Sequence, residues 1–165
     1  MANRFEELFL PHLDAAYSLA RYLSRDAVAA DDIVQESYLR AFRSFGSYRG
    51  GDAKSWLLAI VRNCSFDWSK SHRSASEVGL PEPDDLPDGG QDGPEASAVR
   101  DSETQKVRNV IRRLPEPFRE TLVLRELEEL SYREIAQLTG VPVGTVMSRL
   151  ARARQMLMKE LEPQQ

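Results

Sequence analysis

The segment that most constrains this chain is residues 131–160, in which two helix signals are separated by a turn signal. Ser131 and Glu134 have the spacing of a capping box, in which each side chain bonds to the other residue's backbone N–H at a helix start. Gly140 is suited to end that helix in the left-handed conformation, and Pro142 is tolerated in the first turn of a following helix. The pattern predicts a helix, a tight turn and a second helix.

The second helix, beginning near Val143, is long, basic and amphipathic. Two helices joined by a glycine-containing turn are typical of a helix-turn-helix, which places its second helix in the major groove of DNA. A helical hairpin with a solvated basic face is the alternative interpretation of this segment. The helix has an apolar side of Val146, Leu150, Ala153 and Leu157, and it projects Thr145, Met147, Ser148, Arg149, Arg152 and Arg154 away from that side.

Charge is distributed unevenly along the chain, whose formal net charge is −4. Between Ser74 and Gln105 there are nine acidic residues and one basic residue, a local charge of −8 that leaves +4 for the rest. This segment is rich in proline, glycine and small polar residues and has no hydrophobic periodicity. We therefore interpret residues 74–101 as a flexible acidic linker between two basic regions.

The composition favours a globular cytoplasmic protein without catalytic chemistry of its own. Hydrophobic residues make up 41% of the chain, and no apolar run approaches the ~20 residues of a membrane span. Acidic residues near the N-terminus replace the apolar core of a secretion signal. Cys64 has no cysteine partner, and His12 and His72 lie outside any catalytic constellation. The sequence therefore predicts no enzyme activity, no cofactor and no metal site.

Three helices are predicted before the linker, over residues 3–23, 31–45 and 53–70. Pro11 is expected to kink or split the first of them. The second has acidic residues in its first turn, where the helix dipole favours them. Its residues expected to face a core are Ile33, Tyr38, Ala41, Phe42 and Phe45.

After the linker, a helix is predicted from Ser102, where Gln105 has capping-box spacing, and another over residues 118–127. No strand-like alternation of useful length is present, so the predicted fold is all-α. It consists of two small helical domains joined by the linker, and the C-terminal domain contains the helix-turn-helix. The predicted boundaries are residues 1–73, 74–101 and 102–165.

A second basic element lies in the N-terminal region. Residues 46–52 hold three glycines, an aromatic and an arginine, which indicates a loop. A basic helix beside an exposed aromatic loop suits a single nucleic-acid strand, since bases stack on the aromatic ring while cations hold phosphates. The alternative is an ordinary charged surface with Tyr48 packed locally. The residues concerned are Tyr48 and Arg49 in the loop, Lys54, Arg62, Asn63 and Lys70 in the helix, and Arg73 just beyond it.

Four segments occur in a fixed order: DDIVQESYLRAF, SYRGG, WLLAIVRNCSFDWSKSHR and, after the linker, LPEPFRETLVLRELEELSYREIAQLTGVPVGTVMSRLARAR. In this order the chain resembles a bacterial RNA polymerase sigma factor of the extracytoplasmic-function (ECF) class, which keeps only the second and fourth conserved sigma domains. The resemblance covers nearly the whole chain except the linker. It implies sigma domain 2 over residues 1–73 and sigma domain 4 over residues 102–165.

The resemblance also implies roles for individual residues in the first domain. In this family, the helix that matches residues 31–43 docks on the clamp coiled coil of the largest polymerase subunit. The resemblance therefore implies that this coiled coil is the partner of Asp32, Gln35, Glu36 and Arg40. The loop and third helix resemble those that capture the non-template strand of the minus-ten promoter element. This assigns minus-ten binding to Tyr48, Arg49, Lys54, Arg62, Asn63, Lys70 and Arg73.

In the fourth domain, the second helix of the helix-turn-helix is similar to one that reads the minus-35 element. Met147 departs from a family position that is often basic or polar, so an apolar or shape contact is expected there. Thr145 and Arg149 are expected on backbone phosphates. The full implied set is Thr145, Met147, Ser148, Arg149, Ala151 and Arg152.

The partners implied by the resemblance are core RNA polymerase, through its clamp coiled coil and flap, promoter DNA, and an anti-sigma factor. The implied function is a promoter-specificity subunit that helps to open the DNA around the minus-ten element. The alternative is an autonomous helix-turn-helix transcriptional regulator, which the C-terminal helices alone would allow. That alternative leaves the pattern of residues 31–73 without a role.

Overall fold

The structure is a computed structural model that describes residues 2–76 and 98–162, with side chains over residues 3–72 and 102–162. The regular structure in these ranges is helical and includes no strand, so the predicted all-α fold is confirmed. The central part of the predicted linker, residues 77–97, lies outside the described residues. The α-helices are α1 (Ala2–Phe9), α2 (Leu13–Ser24), α3 (Ala27–Arg43), α4 (Ala53–Ser76), α5 (Ala98–Arg113), α6 (Glu116–Leu122), α7 (Tyr132–Thr139) and α8 (Val143–Leu161).

Helices α1 to α4 form one compact unit. As predicted, Pro11 splits the first helix, and a 3-10 turn over Leu10–His12 separates α1 from α2. Helices α2, α3 and α4 pack against one another, and α1 packs on α4. Apolar side chains from all four helices fill the interior, because burying them removes their surface from water. The largest fully buried ones are Phe9, Leu19, Leu57, Leu58 and Val61.

Helix α3 begins four residues before the predicted start at residue 31, because Asp26 supplies its N-cap. The Asp26 carboxylate accepts hydrogen bonds from Val28 N at 2.9 Å and Ala29 N at 3.2 Å. A cap of this kind contributes ~1 kcal/mol to helix stability. The helix ends at Arg43, and a short 3-10 turn over Phe45–Ser47 leads into the glycine-rich loop.

Helices α5, α6 and α8 pack together in a second unit. Helix α5 starts at Ala98, earlier than the predicted Ser102, so Gln105 lies in its interior and does not cap it. Helix α6 starts at Glu116, two residues earlier than predicted, with Pro117 in the first turn, where a missing N–H is tolerated. The core of this unit contains Val110, Leu122, Leu124, Val146 and Leu150.

The predicted helix over residues 118–127 changes character after Leu122 and becomes a π-helical turn over Val123–Leu127. Glu128 N donates to Val123 O at 3.1 Å, and Leu130 N donates to Leu124 O at 3.0 Å. Glu129 closes this turn in the left-handed region with φ of 59°. Such a close satisfies carbonyl groups that would otherwise lack partners at the helix end.

Candidate nucleic-acid and protein interfaces

The start of the helix-turn-helix has the predicted capping box. Glu134 N donates to Ser131 Oγ at 3.0 Å, and Ser131 N donates to Glu134 Oε1 at 2.9 Å. Leu130, just outside the cap, and Ile135, just inside it, are both buried. This local pattern fixes where α7 begins, as the sequence predicted.

The turn between α7 and α8 depends on Gly140, whose φ of 76° lies in the left-handed region, as predicted. Pro142 is the N-cap residue of α8, so its expected position in the first helical turn is wrong by one residue. Its carbonyl accepts hydrogen bonds from Thr145 N at 3.0 Å and Val146 N at 3.1 Å. The Pro142 carbonyl therefore accepts the first hydrogen bonds of α8, and the proline ring restricts φ at this position, which is −63°.

Helix α8 is divided into a buried side and an exposed side, as its pattern predicted. Val146, Leu150 and Ala153 are buried. The residues expected to meet base edges lie on the exposed side, and the two expected on phosphates are half-buried. The exposed ones are Met147, Ser148, Ala151 and Arg152, and the half-buried ones are Thr145 and Arg149.

The cations of α8 have different surroundings. Arg154 donates from Nε at 2.8 Å and from Nη2 at 2.5 Å to Glu126 Oε1, and these bonds raise the pKa of its guanidinium. The guanidinium of Arg152 lies over the ring of Phe118, 5.9 Å from its centroid, and makes no ion pair within the described residues. The charge of Arg154 is therefore offset, whereas that of Arg152 remains available to an anionic partner.

The polar side of α3 carries the residues expected to dock on polymerase. Asp32 and Gln35 are exposed, while Glu36 and Arg40 are half-buried. Arg40 Nη1 donates to Asp67 Oδ2 on α4 at 3.0 Å, and Arg40 Nε donates to Glu36 Oε1 at 3.1 Å. The pKa of Arg40 is raised by the bond to Asp67 first and by the bond to Glu36 second. The sequence pattern did not indicate a role for Asp67.

The same side of α3 also exposes apolar residues that sequence analysis missed or misplaced. Val28, Leu39 and Phe42 are 71%, 51% and 53% exposed. The expected core position of Phe42 is therefore wrong, although its ring still packs against that of Phe5 in a T-shaped arrangement, with centroids 5.3 Å apart. The spacing of these residues along α3, read together with Asp32 and Gln35, was the signal that could have revealed them.

The glycine-rich loop does not leave its aromatic residue free. The ring of Tyr48 stacks on Phe45 with centroids 6.0 Å apart and an interplanar angle of 16°. Phe9 and Trp56 meet the same ring at 5.5 Å and 5.2 Å. The Tyr48 hydroxyl donates to Gly51 O at 2.8 Å. The ring is half-buried, so local packing, the second of the two sequence interpretations, describes its contacts in this structure.

Asp52 directly precedes α4, and its carboxylate accepts hydrogen bonds from Lys54 N at 3.2 Å and Ser55 Oγ at 3.1 Å. Its predicted DNA-binding side chains differ in exposure. Asn63 and Lys70 are exposed, seven residues apart on one helix face. Lys54 and Arg62 are half-buried, and Arg62 lies over the Phe66 ring at 4.4 Å. Arg49 in the loop is exposed, and the Arg73 side chain lies outside the described side chains.

Two titratable side chains in the first unit are shielded from solvent. The hydroxyl of Tyr38 donates to Phe9 O at 2.7 Å, and burial, with a smaller effect of Asp14, raises its pKa to about 12. Burial likewise raises the pKa of the Cys64 thiol.

Within the described residues, no group of three or more His, Cys, Asp or Glu side chains is arranged to hold a metal ion. None of the described helices combines the length and apolar character needed to cross a membrane.

Family models match both helical regions. The model described as Sigma-70 region 2 matches residues 8–75, and the model described as Sigma-70, region 4 matches residues 104–157. The first match contains α2, α3 and the loop, and the second contains the helix-turn-helix. Both candidate DNA-binding surfaces therefore lie in segments that match sigma-factor regions.

Similar proteins support the same assignment over nearly the whole chain. The ECF RNA polymerase sigma-E factor of Haemophilus influenzae is 37% identical over 153 residues, which cover 88% of this chain and 80% of that protein. The RNA polymerase sigma-H factor of Pseudomonas aeruginosa is 34% identical over 171 residues, covering 96% and 86%. The sigma factor RpoE from Bartonella quintana, solved with the anti-sigma factor NepR, matches with a TM-score of 0.79 at 25% identity, covering 98% of this chain and 99% of that one. The chain belongs to the ECF class of RNA polymerase sigma factors, which direct promoter-specific transcription.

Proposed function

We propose that the exposed side of α3 docks on a coiled coil of core RNA polymerase. Support comes from five of its exposed residues, whose spacing alternates between four and three residues along the helix. This is the heptad spacing of a helix that adds to a coiled coil, in which apolar and polar positions face the partner together. The stripe consists of Val28, Asp32, Gln35, Leu39 and Phe42. Glu36 and Arg40 flank this stripe, and their charges set the register of α3 against the polymerase coiled coil.

The loop and α4 are proposed to capture the non-template strand of the minus-ten element and so to open the DNA there. Extruding a base costs a few kcal/mol, which a prepared aromatic surface and nearby polar groups offset. The packing of Tyr48 between Phe45 and Trp56 holds its ring in place before DNA arrives. Asn63 and Lys70 provide a hydrogen-bonding amide and a cation on one exposed helix face. Arg49, Lys54, Arg62 and Arg73 are proposed to hold phosphates.

The exposed side of α8 is proposed to read the minus-35 element in the major groove. Met147 is 53% exposed and offers only apolar contact, and Ala151 is small enough to approach a thymine methyl. Arg152 is the exposed cation placed to donate to a base edge. Thr145 and Arg149, which are half-buried, are proposed to contact backbone phosphates.

A protein partner that keeps this sigma factor inactive is also proposed. The sigma factor RpoE, which matches this chain with a TM-score of 0.79, was solved in complex with the anti-sigma factor NepR. The boundaries proposed for the two sigma domains are residues 1–73 and 102–165, with residues 74–101 as the connection. The proposed location is the cytoplasm, where polymerase acts. Bond formation belongs to the polymerase.

In vitro transcription with purified core polymerase across a promoter library tests this function. We expect transcription to depend on both the full chain and core polymerase, and the active promoters to share two sequence elements. Permanganate reactivity of the minus-ten thymines should fall with Tyr48→Ala and be largely kept with Tyr48→Phe, which retains the ring but loses the bond to Gly51. Tight sequence-specific binding by the free chain, unchanged by core polymerase and without transcription, would instead support the autonomous regulator.

A further inference from the structure

Asp67 is the single acidic residue of α4. Its side chain is exposed, and it lies four residues after Asn63 and three before Lys70, so the three share one helix face. That face is the one proposed to meet a DNA strand. A carboxylate there repels phosphates unless a cation offsets its charge.

The cation comes from α3. Arg40 Nη1 donates to Asp67 Oδ2 at 3.0 Å, and Arg40 Nε donates to Glu36 Oε1 at 3.1 Å. The guanidinium is thus held by one carboxylate on each helix, across 27 residues of sequence. Without Asp67, Arg40 would keep only Glu36, the partner on its own helix. The Arg40 side chain would then be free to adopt other rotamers.

We propose that Asp67 is a positioning residue for polymerase docking. It holds Arg40 at the border of α3 and α4, so that Glu36 and Arg40 meet the polymerase in one arrangement. Arg40 in turn offsets the charge of Asp67 on the DNA side of α4. One ion pair therefore serves both proposed interfaces of the first unit, an inference that rests on the proposed docking role of α3.

Competition binding of the full chain to core polymerase tests this inference. Exposed ion pairs have modest coupling energies, so we expect Asp67→Asn to weaken the affinity by about two- to fivefold. Glu7→Gln is the matched control, because it removes the same charge from an exposed position on α1 and should leave the affinity unchanged. Asp67→Glu keeps the charge and should keep most of the affinity.

A double-mutant cycle separates positioning from a general effect of charge. In an Arg40→Gln background, Asp67→Asn should cause no further loss of affinity. Urea unfolding followed by tryptophan fluorescence should show the same midpoint for Asp67→Asn and the unmodified chain, because a merely structural role would move that midpoint instead. An unchanged core affinity of Asp67→Asn, or an equal loss in both backgrounds, would overturn the inference.

Glu36→Lys distinguishes failure of this inference from failure of the docking proposal. If Glu36→Lys weakens core binding and Asp67→Asn does not, α3 still docks on polymerase and only the role of Asp67 is overturned. If neither substitution changes the affinity, the docking role of α3 is overturned together with the role of Asp67.

Discussion

Gly140 and Gly144 lie four residues apart around the turn of the helix-turn-helix, and the same substitution to alanine should have opposite effects on stability at the two positions. A Cβ atom added at either glycine meets nothing within 4 Å, so neither change creates a clash. Gly140 has φ of 76°, which costs an L-residue ~1–2 kcal/mol. Gly144 lies in the first turn of α8, where alanine is favoured over glycine by up to ~1 kcal/mol.

The expected result is a loss of ~1 kcal/mol in the free energy of unfolding for Gly140→Ala, after the lower entropy of the unfolded alanine chain offsets part of the strain. Gly144→Ala should gain ~0.5 kcal/mol. Both tryptophans, Trp56 and Trp68, are on α4, so fluorescence does not report on this region. Amide hydrogen exchange at the buried residues Val146 and Leu150 of α8 reports on the stability of this region. A loss of ~1 kcal/mol corresponds to about fivefold faster exchange.

Gly140→Asn serves as the control for backbone conformation, since asparagine tolerates the left-handed region better than alanine. It should exchange at a rate between those of the unmodified chain and Gly140→Ala. If Gly140→Ala exchanges no faster than the unmodified chain, the turn does not require its left-handed glycine. A change of the same sign at Gly140 and Gly144 would show that the effects do not arise from backbone conformation at all.

Substitutions of Arg152, Tyr38 and Glu129 should each have a distinct measurable effect. Arg152→Ala should weaken promoter-dependent transcription by the equivalent of ~1–3 kcal/mol and relax preference at one upstream base pair; a uniform loss across upstream sequences would mark a phosphate contact. Tyr38, whose pKa burial raises to about 12, should stay protonated in the native state as pH rises past 10, so the free energy of unfolding should fall between pH 10 and 12, and urea unfolding of Tyr38→Phe should show a smaller fall. Glu129→Gly should stabilise the π-helical turn by ~0.5–1 kcal/mol in hydrogen exchange, and Glu129→Ala should not.

Sequence reasoning succeeded where the determining interactions are local. The capping box of Ser131 and Glu134 and the left-handed Gly140 each depend on residues within a few positions, and both occur as predicted. Pro11 splits the first helix for the same reason, because its ring and missing N–H act on its own turn. The two helical regions and the helix-turn-helix could therefore be predicted in order.

Sequence reasoning was wrong or left alternatives open where distant contacts decide. Phe42 has the spacing of a core residue, but its ring packs against Phe5 at an interplanar angle of 87° and stays half exposed. The packing of Tyr48 depends on Phe9, 39 positions earlier by residue number, which no local pattern could indicate. The bond between Arg40 and Asp67 joins two helices through the tertiary fold, so composition showed only two charged surfaces.

The charges on α8 bear on how the helix contributes to promoter selection. Of its exposed arginines, Arg154 is paired with Glu126, whereas Arg152 has no ion pair within the described residues. Affinity for DNA rises with the number of phosphates that are neutralised, so pairing of Arg154 with Glu126 lowers the nonspecific attraction that this helix gains. Met147 and Ala151 add apolar contacts that discriminate bases without adding charge. The free chain should therefore bind upstream DNA weakly and with a shallow dependence on salt, and selection of a promoter should require the second contact that polymerase docking brings to the minus-ten strand.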